Sequence, residues 1–172
     1  MLINMSVLAF GAALEIITGQ NLGAGKIKRI FQYHTSAIKQ IIYILVPLSL
    51  SSFFLGRYVG YLFTDNEYII NHLGIYLKFA AFSNIPFAIG ILSIKVISGA
   101  GSYFSSLRIV VLMQIILELP LAFALSYVLH SENGIWIAML SSNLLFCVYG
   151  FWSMKRGKKK TIKFKNQPYC YG

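Results

Sequence analysis

TGQNLGAGK, residues 18–26, closes a long apolar run and opens a basic one, and its reading decides the fold. Taken as a phosphate-binding loop it fails on spacing, because such a loop needs GxxxxGK[ST] between a strand and a helix. Gln20 stands where the first glycine belongs, Lys26 is followed by Ile27, and the preceding segment is an apolar helix-length stretch. A dinucleotide fingerprint fails as well, since Lys28 occupies the place of a third glycine. The glycines suit another role. Gly19 and Gly23 lie four apart, the small-xxx-small spacing that lets a neighbouring helix approach closely. Gly23 and Gly25 also allow the positive φ that ends a helix.

The apolar run before this stretch is one of five. Of 172 residues, 57% are hydrophobic and 12% charged, and the mean hydropathy is +0.67. A soluble chain of this length has no interior able to hide several segments of about 20 apolar residues, the length that crosses a hydrocarbon core. The sequence predicts an all-α, polytopic transmembrane helical bundle over 1–155, with spans at about 2–22, 41–63, 73–97, 109–129 and 134–154, and a basic tail over 156–172. Met1 has no basic region and no cleavage site after its apolar run, so the first helix is expected to remain in the protein.

Charge in the connections orients these spans. The segment GKIKRIFQYHTSAIK after the first span carries Lys26, Lys28, Arg29 and Lys39, whereas TDNEYIINH between the second and third has Asp65 and Glu67 and neither Lys nor Arg. Arg108 follows the third span, HSENG between the last two has only Glu132, and KRGKKKTIKFK follows the fifth. Lys and Arg collect on cytoplasmic loops, which places the N-terminus outside, the C-terminus in the cytoplasm and the protein in the cell membrane as a multi-pass chain. The net charge of +10 is then a topology signal that also leans on anionic lipid, and nucleic-acid binding is set aside because no aromatic-studded domain follows the tail.

A helix ending in GQNLGAGK and followed by a basic segment resembles the multidrug and toxic compound extrusion (MATE) family of cation-coupled efflux transporters. Gly19, Gln20, Asn21, Gly23 and Gly25 carry the motif. VISGAGSYF at 96–104, with Gly99 and Gly101, is similar to the turn after that family's tenth helix. ELPLAFAL at 118–125, with Pro120, resembles its eleventh helix, and GIWIAMLSSNLL at 134–145 resembles the start of its twelfth. The resemblance implies helices 8 to 12 of a twelve-helix, two-lobe fold, one wall of a substrate cleft between lobes, alternating access, drug-like and often cationic substrates, a proton or sodium ion as the coupling ion and no other cofactor. It also implies that the N-terminal lobe and seventh helix, or a second chain, complete the cleft. Two alternatives stay open: a truncated chain that transports nothing, and a flippase for lipid-linked saccharides.

Within the apolar spans two carboxylates need a reason, since a charge at a helix centre costs about 2.5–3.5 kcal/mol on insertion scales. Glu15 shares a helix face with Gly11, Thr18, Gly19 and Leu22, a small-residue surface suited to facing other helices or a cavity. It is the first candidate for ion coupling, against the alternative of a carboxylate hydrogen-bonded inside the bundle. Glu118 is the second. It precedes Pro120, whose missing N–H frees a carbonyl, although the family often shows a basic residue there. Lys78 and Lys95 sit towards the ends of the third span, where long side chains can snorkel to the interface. Asn84 and Pro86 form a candidate hinge, with a packing kink as the alternative. Phe53, Phe54, Phe79, Phe82, Phe87, Phe123 and Tyr127 could line a cleft, or face lipid. His34, His72 and His130 fall in or beside connections and have no metal-ligand spacing. Cys147 and Cys170 lie too far apart topologically to pair, and no nucleophile constellation suggests an enzyme.

Overall fold

The computed structural model describes residues 2–130 and 133–165, with side chains for 4–130 and 133–156. Its regular elements among those residues are all helical: α1 (Leu2–Gly23), α2 (Ile27–Tyr61), α3 (Glu67–Gly99), α4 (Tyr103–Val111), a π-helical stretch (Leu112–Leu117), α5 (Glu118–Leu129) and α6 (Asn133–Lys165). The stretch from Tyr103 to Leu129 is one rod, so five helices are long and apolar enough to cross a membrane.

Helix α2 is longer than the second expected span. It begins at Ile27, so most of the basic segment read as a connection is helical. The reason lies in its spacing. Ile30, His34, Ala37, Ile41 and Leu45 recur every three or four residues and are buried, while Lys28, Arg29, Gln32, Tyr33 and Lys39 take the exposed side. At 35 residues α2 is about 52 Å long, far more than a bilayer core of about 30 Å, which leaves its basic first turns room at the interface. His34 is therefore a core residue and not part of a connection. Its Nε2 lies 3.2 Å from Ser93 Oγ, and because that hydroxyl donates to the Ile89 carbonyl, the histidine is the donor to Ser93. Likewise α6 runs past residue 156 to Lys165, since lysine and arginine favour helix and no proline intervenes before Pro168. Residues 166–172 of the expected tail, Cys170 among them, lie outside the described residues, as do Ser131 and Glu132 of the last turn.

The first and third helices end in the same way. Gly25 (φ +69°) and Gly101 (φ +84°) each hold the left-handed conformation that closes a Schellman turn. Lys26 N–H reaches Asn21 O at 2.8 Å and Gly25 N–H reaches Leu22 O at 3.0 Å; Ser102 to Ile97 and Gly101 to Ser98 repeat the pattern at 3.3 and 2.9 Å. Gly23 is simply the last residue of α1 and takes no positive φ. At the opposite end of the bundle Asn66 caps α3 by accepting the Tyr68 N–H at 3.0 Å, with Glu67 in the first turn.

Helix α3 is the axis of the assembly and packs against α1, α2, α4 and α6. Glycines make this possible, since small residues let membrane helices approach. Gly90 receives the Phe146 ring of α6, and a Cβ on Gly150 would sit 3.2 Å from Gly90 O. Gly56 and Gly60 of α2 lie against Leu77 and Ile70 of α3. The core of Val7, Leu14, Ile41, Leu45, Leu92 and Val96 joins α1, α2 and α3. Helix α3 passes through Pro86 without interruption, as α2 does through Pro47. The far face of α5 stays apolar and exposed at Phe123, Tyr127 and Val128, a surface for lipid or further helices. Where the apolar part of α6 ends, the Lys155 ammonium lies 4.5 Å from the Phe151 ring and the Arg156 guanidinium 3.5 Å from that of Trp152, the aromatic and basic residues expected at an interface.

Candidate functional site

The small-residue face of α1 meets α3 through an ion pair inside the apolar bundle. Glu15 lies eight residues before the end of α1, about 12 Å along the helix. Its Oε2 is 2.7 Å from Lys95 Nζ, and Ser98 Oγ donates to its Oε1, so both carboxylate oxygens are engaged. The side chains keep 25% and 31% of their surface exposed for Glu15 and Lys95, so the pair is reachable and yet largely enclosed. Glycines on both helices shape the place. A Cβ on Gly11 would stand 3.1 Å from Lys95 Cγ, so the lysine stem crosses α1 where that glycine is bare. Gly99 lies under the Glu15 carbonyl and Thr18, and a Cβ on Gly19 would be 3.4 Å from Gly99 O. Thr18 turns its hydroxyl back to Leu14 O at 2.7 Å. A cavity of about 130 Å³ between α3 and α4, lined by Lys95, Ser98, Tyr103 and Ser106, borders the pair.

Lys95 therefore does not snorkel as its position near a helix end suggested; it reaches across to α1. Two opposite charges in otherwise apolar spans were the available signal, since each lowers the cost of the other. Gly23 has nothing within 4 Å of a would-be Cβ, so the close approach belongs to Gly11, Gly19 and Gly99. Gln20 is exposed, and its carbonyl accepts the Ala24 N–H at 3.1 Å. Asn21 ties its amide to Ile17 O at 2.8 Å.

Glu118 lies away from this site, in a second polar cluster that spacing did not reveal. It begins α5 directly after the π-helical stretch and accepts a hydrogen bond from Ser142 of α6 at 2.8 Å. Next to it, Gln114 donates to Asn143 Oδ1 at 3.2 Å and Asn143 donates to Ser83 of α3 at 2.7 Å. The wide turn has a local cause: proline at 120 offers no N–H to the carbonyl of Ile116, four residues earlier. At the expected hinge the contact to α6 is made by Ser83, the neighbour of Asn84, three residues before Pro86. Asn143→Leu is expected to lower stability by about 1 kcal/mol, two interhelical hydrogen bonds at about 0.6 each, read by denaturant titration in mixed micelles. Among the expected cleft aromatics, Phe53 packs edge-on against Phe54 and Phe82, and Phe87 stacks on Phe146.

Three comparisons bear on this arrangement. A family model described as MatE matches residues 1–124. A solved structure described as the inward-facing conformation of a multidrug resistance MATE family transporter of the MOP superfamily superposes with a TM-score of 0.85 at 21% identity. That match covers 95% of this chain and 38% of the other, so the chain spans well under half of the transporter's length. No curated protein sequence matches.

Proposed function

This chain belongs to the MATE family, and on that premise we propose that it forms one wall of a cation-coupled antiporter exporting organic, often cationic, compounds by alternating access. The observation that carries the reading is the Glu15–Lys95–Ser98 cluster at the α1–α3 contact. A ligand ion shifts a conformational equilibrium only as far as it binds one state better than the other. Glu15 supplies such a difference. When a proton or sodium ion takes the carboxylate, the attraction of Lys95 is lost, and α1 and α3 are held by their apolar core and glycine contacts without it. When the ion leaves, the pair re-forms and draws the helices together. The distribution of Lys and Arg supports a cytoplasmic C-terminus in the cell membrane, with the α1–α2 and α3–α4 turns on the inner side. The rest of the cleft comes from further helices of the same protein or from a second chain.

The chain expressed in a pump-deficient bacterium is expected to lower ethidium accumulation. Glu15→Gln, at equal membrane level, is expected to abolish most of that effect. Repeating the assay with a protonophore or a sodium ionophore identifies the coupling ion. If neither chain alters accumulation, it does not export on its own, and export belongs to the protein completed by the further helices or the second chain.

A further inference from the structure

The groove between the later half of α2 and the earlier half of α3 carries positive charge that nothing among the described residues neutralises. Here a cavity of about 770 Å³ opens towards the α2–α3 turn, walled by aromatic side chains such as Phe53, Tyr58 and Tyr61 and containing Arg57 and Lys78. No carboxylate lines it. Lys78 Nζ stands 5.8 Å above the Phe53 ring, and neither cation has an ion pair or hydrogen bond among the described residues. Arg57 is four residues from the end of α2, about 6 Å along its axis, the depth of the headgroup layer. Lys78 is eleven residues into α3, about 16 Å, so its stem can carry the ammonium back up the groove towards Arg57.

Deeper along the same two helices the groove continues as an apolar slot of about 240 Å³. It shares Phe53 and Phe54 with the upper cavity and is lined further in by Val46, Leu50, Phe82 and Ile85. A cationic chamber at headgroup depth leading into a greasy slot matches a molecule with an anionic head and a long apolar tail. A free anion would use only the upper part, and an uncharged lipid would leave both cations without a partner. We propose that this groove binds an anionic phospholipid, its phosphate held by Arg57 and Lys78 and one acyl chain in the slot. Arg57 suits the role because a guanidinium pairs with phosphate through two parallel hydrogen bonds.

The test uses the whole chain in bilayers of phosphatidylcholine with phosphatidylglycerol of the same acyl chains, released into native mass spectrometry to count retained lipids. Wild-type protein is expected to retain phosphatidylglycerol in preference to phosphatidylcholine. R57Q/K78Q is expected to lose roughly 30-fold of that preference, the effect of two cations at a membrane surface. R57K/K78R should keep it. The basic tail is present in every variant, so its own attraction cancels. Leu50→Trp, which fills the slot at an exposed position and spares both cations, should also lose retention. Unchanged phosphatidylglycerol retention in a folded R57Q/K78Q overturns the proposal. So does retention unaffected by Leu50→Trp and displaced by inorganic phosphate, which would mark a site for free anions.

Discussion

Lys95→Met is expected to weaken the folded bundle by about 2–3 kcal/mol, because it strands the Glu15 carboxylate in an apolar helix contact. Removal of one partner from a fully buried pair costs about 3–5 kcal/mol, and the quarter to a third of surface that these side chains keep brings the figure down. The opposite substitution should cost less. In Glu15→Gln the unpaired group is Lys95, only four residues from the end of α3, whose long stem can carry the ammonium to the interface. The double variant Glu15→Gln, Lys95→Met should return to within about 1 kcal/mol of wild type, since no charge remains and glutamine still accepts the Ser98 hydroxyl. Denaturant titration of the four proteins in mixed micelles gives the coupling directly. A loss in the double variant equal to the sum of the two single losses would show that the pair itself contributes nothing.

A contrast between two identical tripeptides has a comparable effect. Gly23-Ala24-Gly25 and Gly99-Ala100-Gly101 have one sequence and one turn geometry, yet Gly99→Ala is expected to cost about 2–3 kcal/mol and Gly23→Ala nothing or a slight gain. The difference is tertiary. A methyl group on Gly99 would run into the Glu15 carbonyl and come within 2.9 Å of Thr18 Cβ, forcing α1 off α3 and lengthening the Lys95–Glu15 contact. At Gly23 there is open space. The same titration checks both, and an equal response would place the role of these glycines in the turn alone.

The helical class and the family were legible because apolar runs of helix length and the GQNLGAGK stretch are local signals. That Glu15 faces another helix was legible for the same reason, since Gly11, Thr18 and Gly19 mark its face at three- and four-residue spacing. Its partner was not, because Lys95 is 80 residues away and its nearness to a helix end offered a sufficient local explanation. His34 was misplaced for a related reason. Four basic residues within fourteen read as a loop, whereas the helix that starts after Lys26 carries Lys28, Arg29 and Lys39 on its exposed side and keeps Ile30, His34 and Ala37 inside. The Gln114–Asn143–Ser83 chain lay beyond reach, since uncharged amides in an apolar span give no sign of the helix they will meet.

The wide turn at Leu112–Leu117 sets the angular phase of everything after it. Each residue of an α-helix advances the chain by about 100° and 1.5 Å, and a turn that closes over five residues instead of four stores one such step. Tightening it to an ordinary α-turn would swing α5 through about that angle, carrying Glu118 off Ser142 and presenting Phe123 and Tyr127 to a different neighbour. In this structure the Ser142 and Asn143 hydrogen bonds hold the rod in the phase that the wide turn sets.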